Sequence, residues 1–473
     1  MLGRAEMRET GKGRMRFMTF RQALLAGTIA GVCFVQPASA QSLTDVLSAA
    51  YNNNPTLLSA RAALRATDEG VPQALSGWRP TVSLTGETGV LRQEFTPQTP
   101  TTQSDTINPR TVTLSVTQPL YRGGRTQAAT ESAEALVLAG RQDLYSTERR
   151  VLLDAVTAYM DVVQNQAVLD LNRNNEEVLR RQLEATRERF RVGEITRTDV
   201  AQAESRLSGA TANRISAEGI LVSSRAVLAR VIGEMPGTLT PPPPLPELPR
   251  SEEEALAIAL EENPDLLGAR FREVSAKYDV RSVSGALLPT VSVAGSLSQA
   301  DETTRANLET ESARIALQLT VPLYEGGSVY SQTRQRKQIH NQRRIQVEEQ
   351  RRLVRQSVTQ AWENLTTARS NITARRDQVE AARIALEGVQ QEAEVGSRTT
   401  LDVLDAEQEY LDARVAEVRA RRDEYVAAFT LLSAIGRLGA RQLSLPVEYY
   451  DPVENYDRVR DKWFGTDGGL NAE

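Results

Sequence analysis

Cysteine is almost missing from this chain: Cys33 is the only one in 473 residues, and His340 is the only histidine. The first scarcity excludes a disulfide framework and thiol catalysis. The second, in a sequence without a phosphate loop, a metal cluster or a nucleophile elbow, leaves an enzyme without its usual parts. No cofactor is expected, and His340, set in a run of Arg and Gln, reads as a solvated position. Aromatics are only 5 % of the residues and charged groups 25 %, a mixture that suits long solvated helices better than several thick-cored globules. A net charge of −5, with arginines interleaved among acids, carries no nucleic-acid footprint. After residue 40 no apolar run approaches the roughly 20 residues of a membrane-spanning helix. A membrane protein with this sequence would have to use β-strands.

The N-terminus is an address. Arg16 and Arg21 precede ALLAGTIAGVCFV (23–35), and ASA at 38–40 supplies small residues before Gln41. A basic region, a short apolar stretch and an A-x-A cleavage site make a secretory signal. The residues before Met15 read as a leader extension, so 1–40 are assigned to leader and signal. Cys33 lies inside it, and the exported remainder is free of thiols.

Beyond the signal the chain repeats itself. NPTLLSAR (54–61) matches NPDLLGAR (263–270), and RPTVSLTG (79–86) matches LPTVSVAG (288–295), both at an offset of 209. Beyond a polar loop the offset becomes 203: QPLYRGG (118–124) against VPLYEGG (321–327), VGEITRTDV (192–200) against VGSRTTLDV (395–403), and VIGE (231–234) against AIGR (434–437). Chance similarity does not keep order and spacing through five anchors; this is a duplication. The first repeat is read as 41–234 and the second as 251–437. A proline-rich linker, 235–250, joins them as a semi-rigid strap. A tail, 438–473, is expected to pack partly against the helices.

Each repeat has one layout. A leading helix carries Asn54-Pro55 or Asn263-Pro264, which should break it, because proline disfavours helical geometry in the preceding residue. Two alternating strands come next. Val82, Leu84 and Val90, then Val112, Leu114 and Val116, oppose Thr, Ser and Glu in the first copy. Val291, Val293 and Leu297, then Ile315, Leu317, Leu319 and Val321, do so in the second. Such period-two segments of about ten residues fit barrel strands, apolar outside and polar inside. A soluble sandwich is the competing reading. The polar stretches 92–110 and 298–312 read as long outer loops. Pro119 and Pro322 should end the ladders. Tyr121 and Tyr324 stand where an interfacial aromatic belt would be, and Gly123, Gly124, Gly326 and Gly327 let strand turn into helix. Proline-free rods then run from about Gly124 to Phe190 and from Gly327 to Ala393, each about 100 Å long. Gly193 and Gly396 end them as tip turns. Return helices of half that length lead to Gly233 and Gly436, so a return helix and a leading helix stacked end to end would match one rod.

Four strands cannot close a barrel, and lipid does not tolerate open edges, so closure requires several chains. The duplicated plan, QPLYRGG with VPLYEGG, RVGEITRTDV, and VGSRTTLDVLDAEQEYLDAR resemble the TolC family of outer-membrane efflux proteins over essentially all of the chain after the signal. NYDRVRDKWFG near the end resembles the branch serving type I protein secretion. The resemblance implies mixed α and β architecture: a homotrimer sharing a twelve-stranded transmembrane β-barrel continued by a periplasmic α-helical coiled-coil barrel. It implies the outer membrane of a Gram-negative bacterium and its lipid, a periplasmic adaptor, and an inner-membrane pump of the ABC or RND type. The function implied is a channel-tunnel exporting proteins or small toxic compounds. A soluble periplasmic coiled-coil adaptor is the alternative.

Asp402 and Asp405, at i and i+3, share a helix face. In the family reading they line the narrow periplasmic end as rings of carboxylates, able to hold an inhibitory cation although no metal is required. Crowding of like charge should raise their pKa values. Helix capping is the plainer role for acids in a first turn. Arg398 matches the family arginine that ties the tip shut, with Thr198 and Asp199 at the partner positions. Where the family often has a tyrosine in this lock, Ala393 stands here.

Overall fold

A computed structural model describes residues 40–95 and 103–467; the leader and signal before Ala40 and the last residues of the tail lie outside these. The chain begins with α1 (Leu43–Asn53), α2 (Pro55–Asp68) and α3 (Gly70–Leu75), then β1 (Thr81–Thr88), β2 (Leu91–Phe95), β3 (Gln103–Ile107) and β4 (Arg110–Arg122). The rod α4 (Arg125–Arg191) and its return α5 (Arg197–Ile232) complete the first repeat. The second has α6 (Glu252–Glu262), α7 (Pro264–Ser284), β5 (Thr290–Asp301), β6 (Glu309–Thr320), α8 (Ser328–Glu394) and α9 (Thr400–Ile435), with α10 (Glu454–Arg460) after it. Both rods have 67 residues and both returns 36.

The Asn-Pro pairs break the leading helices as their chemistry requires. Asn54 and Asn263 are extended, with ψ of 120°, and each side chain caps the helix that its proline begins, accepting from Thr56 N–H or Asp265 N–H at 2.9 Å. The same amides reach backwards. Asn54 Nδ2 donates to the Val231 carbonyl and Asn263 Nδ2 to that of Ala434, both at 2.9 Å. The end of each return helix therefore abuts the start of α2 or α7, and one asparagine joins the short helices end to end. Around these joints sits the core: Leu152, Val156 and Tyr159 of α4 with Leu228, Ile232, Val358, Leu431 and Ile435. The linker crosses it, held where Tyr159 donates to the Thr240 carbonyl (2.6 Å) and Tyr425 to that of Pro243 (3.1 Å).

The main sheet has the order β1-β4-β5-β6, all antiparallel. Its register aligns apolar rows across all four strands: Val82, Val116, Gly295 and Ile315 in one, Leu84, Leu114, Leu297 and Ala313 in the next. The opposite face is polar, and Thr113 and Ser298 share a hydrogen bond there (3.1 Å).

Four expectations need correction. The stretch 92–110 is not merely a loop, because β2 and β3 pair as a second hairpin outward of Gly89; an antiparallel ladder is made by backbone groups and does not need an alternating apolar pattern. The turn of the second hairpin spans only 302–308, since β5 and β6 continue through polar residues to Asp301 and Glu309. Pro119 does not end its ladder. β4 runs on to Arg122 with a shift of register between Pro119 and Tyr121, and a bulge is one of the places where a sheet accepts proline. In the second copy β6 does stop, at Thr320, before Pro322. Finally, His340 is half-buried, its Nε2 lying 2.5 Å from Glu273 Oε1 of α7.

The tail packs. Leu445 and Val459 are buried, and Asn455 Nδ2 donates at 2.8 Å to Asp68 Oδ2, a fully buried carboxylate that burial pushes above the ordinary range.

Candidate functional site: helix tips, strand edges and junctions

The two tips are built alike. Gly193 (φ +80°) and Gly396 (φ +81°) take the left-handed conformation that closes a rod, with Glu194 N–H returning to the Arg189 carbonyl and Ser397 N–H to that of Glu392. Thr196 and Thr399 then cap the return helices. Asp199 and Asp402 complete reciprocal capping boxes, each accepting from its threonine's backbone N–H (2.8 and 2.9 Å) and hydroxyl (both 2.8 Å). These bonds hold the Asp402 carboxyl below the usual carboxylate range, opposite in direction to the rise expected from crowding.

Asp405 and Arg398, the other charged residues of the predicted gate, meet partners within the chain. Asp405 is ion-paired with Arg206 of α5, which ties the second tip to the first. Asp402 and Asp405 thus answer to different partners within one chain. Arg398 Nε donates to Glu392 Oε2 at 2.8 Å, not to Asp199, and Thr198 is exposed. Glu392 and Arg206 went unnoticed in the sequence. Glu392 had a signal, lying six positions before Arg398 across a tight turn; Arg206 had none, because its partner is 199 residues away. Among the described residues no group of three or more metal-binding side chains occurs within the chain.

A difference between the tips matters more. Arg187 donates to Glu204 at 2.7 Å across the first hairpin. At the offset of 203 the equivalents are Gln390 and Glu407, joined by a neutral donor at 3.0 Å. Burial pushes the Glu407 carboxyl up, and Gln390 offsets this only in part. The second hairpin lacks the charge pair that the first has.

At the other end of the rods the sheet reverses the ordinary rule of exposure. Val82 is 65 % exposed, Leu84 71 %, Ile315 85 % and Leu317 69 %. In β4 the apolar Val112, Leu114 and Val116 are exposed while Thr111, Thr113, Ser115 and Thr117 are half-buried. Contiguous apolar surface of this kind marks an interaction surface or lipid. Among the described residues both edge strands, β1 and β6, are unpaired on their outer sides. Tyr121 and Tyr324 are exposed at the helical end. Gly123, Gly124, Gly326 and Gly327 have φ between +62° and +81°. A side chain at Gly123 would put its Cβ 2.1 Å from the Gly285 carbonyl, whereas Gly326 has open space.

The sequence matches the profile of the family "Outer membrane efflux protein" over residues 46–234 and 255–437. The chain belongs to that family. Among outer membrane efflux proteins it is 39 % identical to the outer membrane efflux protein BepC of Brucella suis over 93 % of this chain and 95 % of that one. It is 27 % identical to the outer membrane protein TolC of Vibrio cholerae, over 85 % and 92 %, and to the alkaline protease secretion protein AprF of Pseudomonas aeruginosa, over 74 % of each. The fold is that of the outer-membrane channels OprN (TM-score 0.72, 22 % identity, 83 % of this chain and 89 % of that one) and CmeC of Campylobacter jejuni (0.73, 16 %, 90 % of each). The efflux and secretion channel family, the outer-membrane location and the absence of an enzymatic role expected from the sequence agree with these findings.

Proposed function

We propose that three copies of this chain close their sheets into one twelve-stranded barrel continued by a helical tunnel, and that this duct exports substrates to the cell exterior. An inner-membrane ABC or RND-type pump would deliver them through a periplasmic adaptor. Both proteins leaving by type I secretion and small toxic compounds fit a common duct, which takes its specificity from the pump. The observation that carries the reading is the sheet itself: one face of exposed apolar side chains, polar ones half-buried opposite them in β4, and two edges unpaired among the described residues, which lipid would not tolerate. A soluble adaptor has no use for such a surface.

The duplication supplies a template for closure. Within the chain β4 of the first repeat pairs with β5 of the second, and Thr117 faces Ala294. Carried through the offsets of 203 and 209, the same junction recurs between β6 and β1 of the next copy, with Thr320 facing Thr85. This register keeps faces consistent: Leu319 and Val321 meet Gly86 and Leu84 on the apolar side, and Gln318 meets Glu87 on the polar side.

The tips act as the gate. Asp402 and Asp405 of three copies line the constriction and favour cations, an inhibitory one included. Arg398 holds the second hairpin by pairing with Asp199, beside Thr198, on an adjacent hairpin, and opening is an iris-like outward swing of the second-repeat hairpins. The neutral Gln390–Glu407 contact, where the first hairpin has Arg187–Glu204, supports the second hairpin as the mover. Deletion of the gene tests the function: the account expects loss of a secreted protein, sensitivity to toxic compounds, or both, restored by the intact gene. A deletion strain with unchanged secretion and unchanged sensitivity would overturn it.

A further inference from the structure

The tail ends in a feature that the duct does not use. After α10 the chain turns at Asp461 and presents Trp463 and Phe464, 57 % and 85 % exposed, their ring centroids 6.4 Å apart. Adjacent aromatics so bare are unusual, and they are not on a loose end. Asn455 is bonded to buried Asp68, and the Tyr456 ring lies under the Arg141 guanidinium at 5.4 Å. Arg79 fixes the level: its Nη1 donates to the Lys462 carbonyl at 2.8 Å and its guanidinium stacks on the Trp463 ring at 4.9 Å.

Arg79 stands two residues before β1, whose exposed apolar residues begin at Val82. The tail is therefore clamped to the strand entrance, beside half-exposed Trp78, whose carbonyl accepts from Gln118 Nε2 of β4 at 2.8 Å. We infer that Trp463 and Phe464 form an interfacial anchor, seated in the phospholipid headgroup region on the periplasmic side of the membrane. The inference rests on the outer-membrane reading and extends it to a segment outside the barrel. Three observations favour lipid as the occupant. The patch is held by Arg79, three residues before the exposed apolar residues of the sheet begin at Val82. It is made of aromatic residues, which prefer the membrane–water interface. Two cations, Arg79 and Lys462, flank it, and cations at that depth are drawn to anionic headgroups, although Asp467 also engages Lys462 at 2.7 Å.

The test uses the full chain in phosphatidylcholine–phosphatidylglycerol vesicles. Phe464→Cys and, as a reference on the sheet, Leu84→Cys are each labelled with an environment-sensitive fluorophore and challenged with lipid-attached nitroxides. Quenching at both sites is the expected result. Quenching at 84 without quenching at 464 would overturn the anchor and leave the channel standing; quenching at neither would overturn both. Trp463 gives a label-free check. With Trp78→Phe and Trp362→Phe it is the only tryptophan in the chain, and brominated lipid should reduce its emission severalfold. Unchanged emission counts against the anchor. If Trp463→Ser/Phe464→Ser abolishes trimer assembly while neither probe reports lipid, the pair faces the next copy and the inference fails.

Discussion

The Arg398 guanidinium lies 2.8 Å from the Glu392 carboxylate, across the tight turn of its own helix tip. The arginine assigned as a tether is thus already neutralised inside the chain, in a contact between two half-exposed groups of the kind that contributes little to stability. So weak a pair is easily exchanged for a partner on another hairpin. If Arg398 is the tether, Arg398→Ala should raise single-channel conductance in planar bilayers severalfold. Glu392→Gln, which frees the guanidinium, should leave conductance low or reduce it. A nearly closed, unchanged pore in Arg398→Ala would count against the tether.

Arg206 and Asp405 form the bridge between the two tips of one chain. Arg206→Ala releases that bridge and leaves the Asp405 carboxylate without its neutralising cation. Two effects are expected together: higher conductance, and block by a multivalent cation at severalfold lower concentration. Cation titration of the bilayer current measures both, and block unchanged in Arg206→Ala would remove Asp405 from the constriction.

Gln390→Arg should restore at the second tip the ion pair that the first tip has. The burial that pushes Glu407 up means its neutral form is favoured in the packed hairpin. The stabilisation is therefore complete at low pH and is lost as pH rises from the ordinary glutamate range through the raised value. In the wild-type protein the tip should loosen with rising pH over that window, seen as increasing conductance. In Gln390→Arg the conductance should be lower and the dependence flattened. A wild-type response of the opposite sign would contradict the assignment.

Two glycines with the same backbone conformation should behave differently. Gly123→Ala carries the left-handed penalty of about 1–2 kcal/mol and in addition drives a methyl into the Gly285 carbonyl, so little folded protein should be recovered. Gly326→Ala has nearly the same φ but open space around it within the chain. It should fold, with any further loss appearing in assembly. Comparing yield and thermal stability of the two variants checks this.

Much of the fold was legible because duplication leaves register marks. Asn54 and Asn263, the PLY motifs and the tip glycines each occur twice, and each pair fixes a joint, a strand end or a turn. Rod lengths could be read from the absence of proline. What escaped was whatever depended on long-range partners or on one copy alone. β4 passes through Pro119 only because β5 continues beside it, which the matching proline of β6 does not enjoy. The hairpin of β2 and β3 has no apolar alternation to announce it. His340 meets Glu273 because α7 and α8 pack together, and nothing near either residue in the sequence says so. The candidate gate was legible as a set of motifs but not as a set of contacts: Asp199 and Asp402 serve first as caps, and within the chain Glu392 pairs with Arg398 and Arg206 with Asp405.

The claim on which the account depends is that this sheet seals only against another copy of itself. Thr85→Cys with Thr320→Cys tests it directly, since antiparallel partners lie at the separation a disulfide spans. Thr117→Cys with Ala294→Cys serves as the reference for a bond within one chain. Oxidation of membranes and then non-reducing electrophoresis should convert the first variant into covalent dimers and trimers, reversed by reductant, while the second remains monomeric. A Thr85–Thr320 variant that stays monomeric, or that closes its bond within a single chain, would contradict the shared barrel.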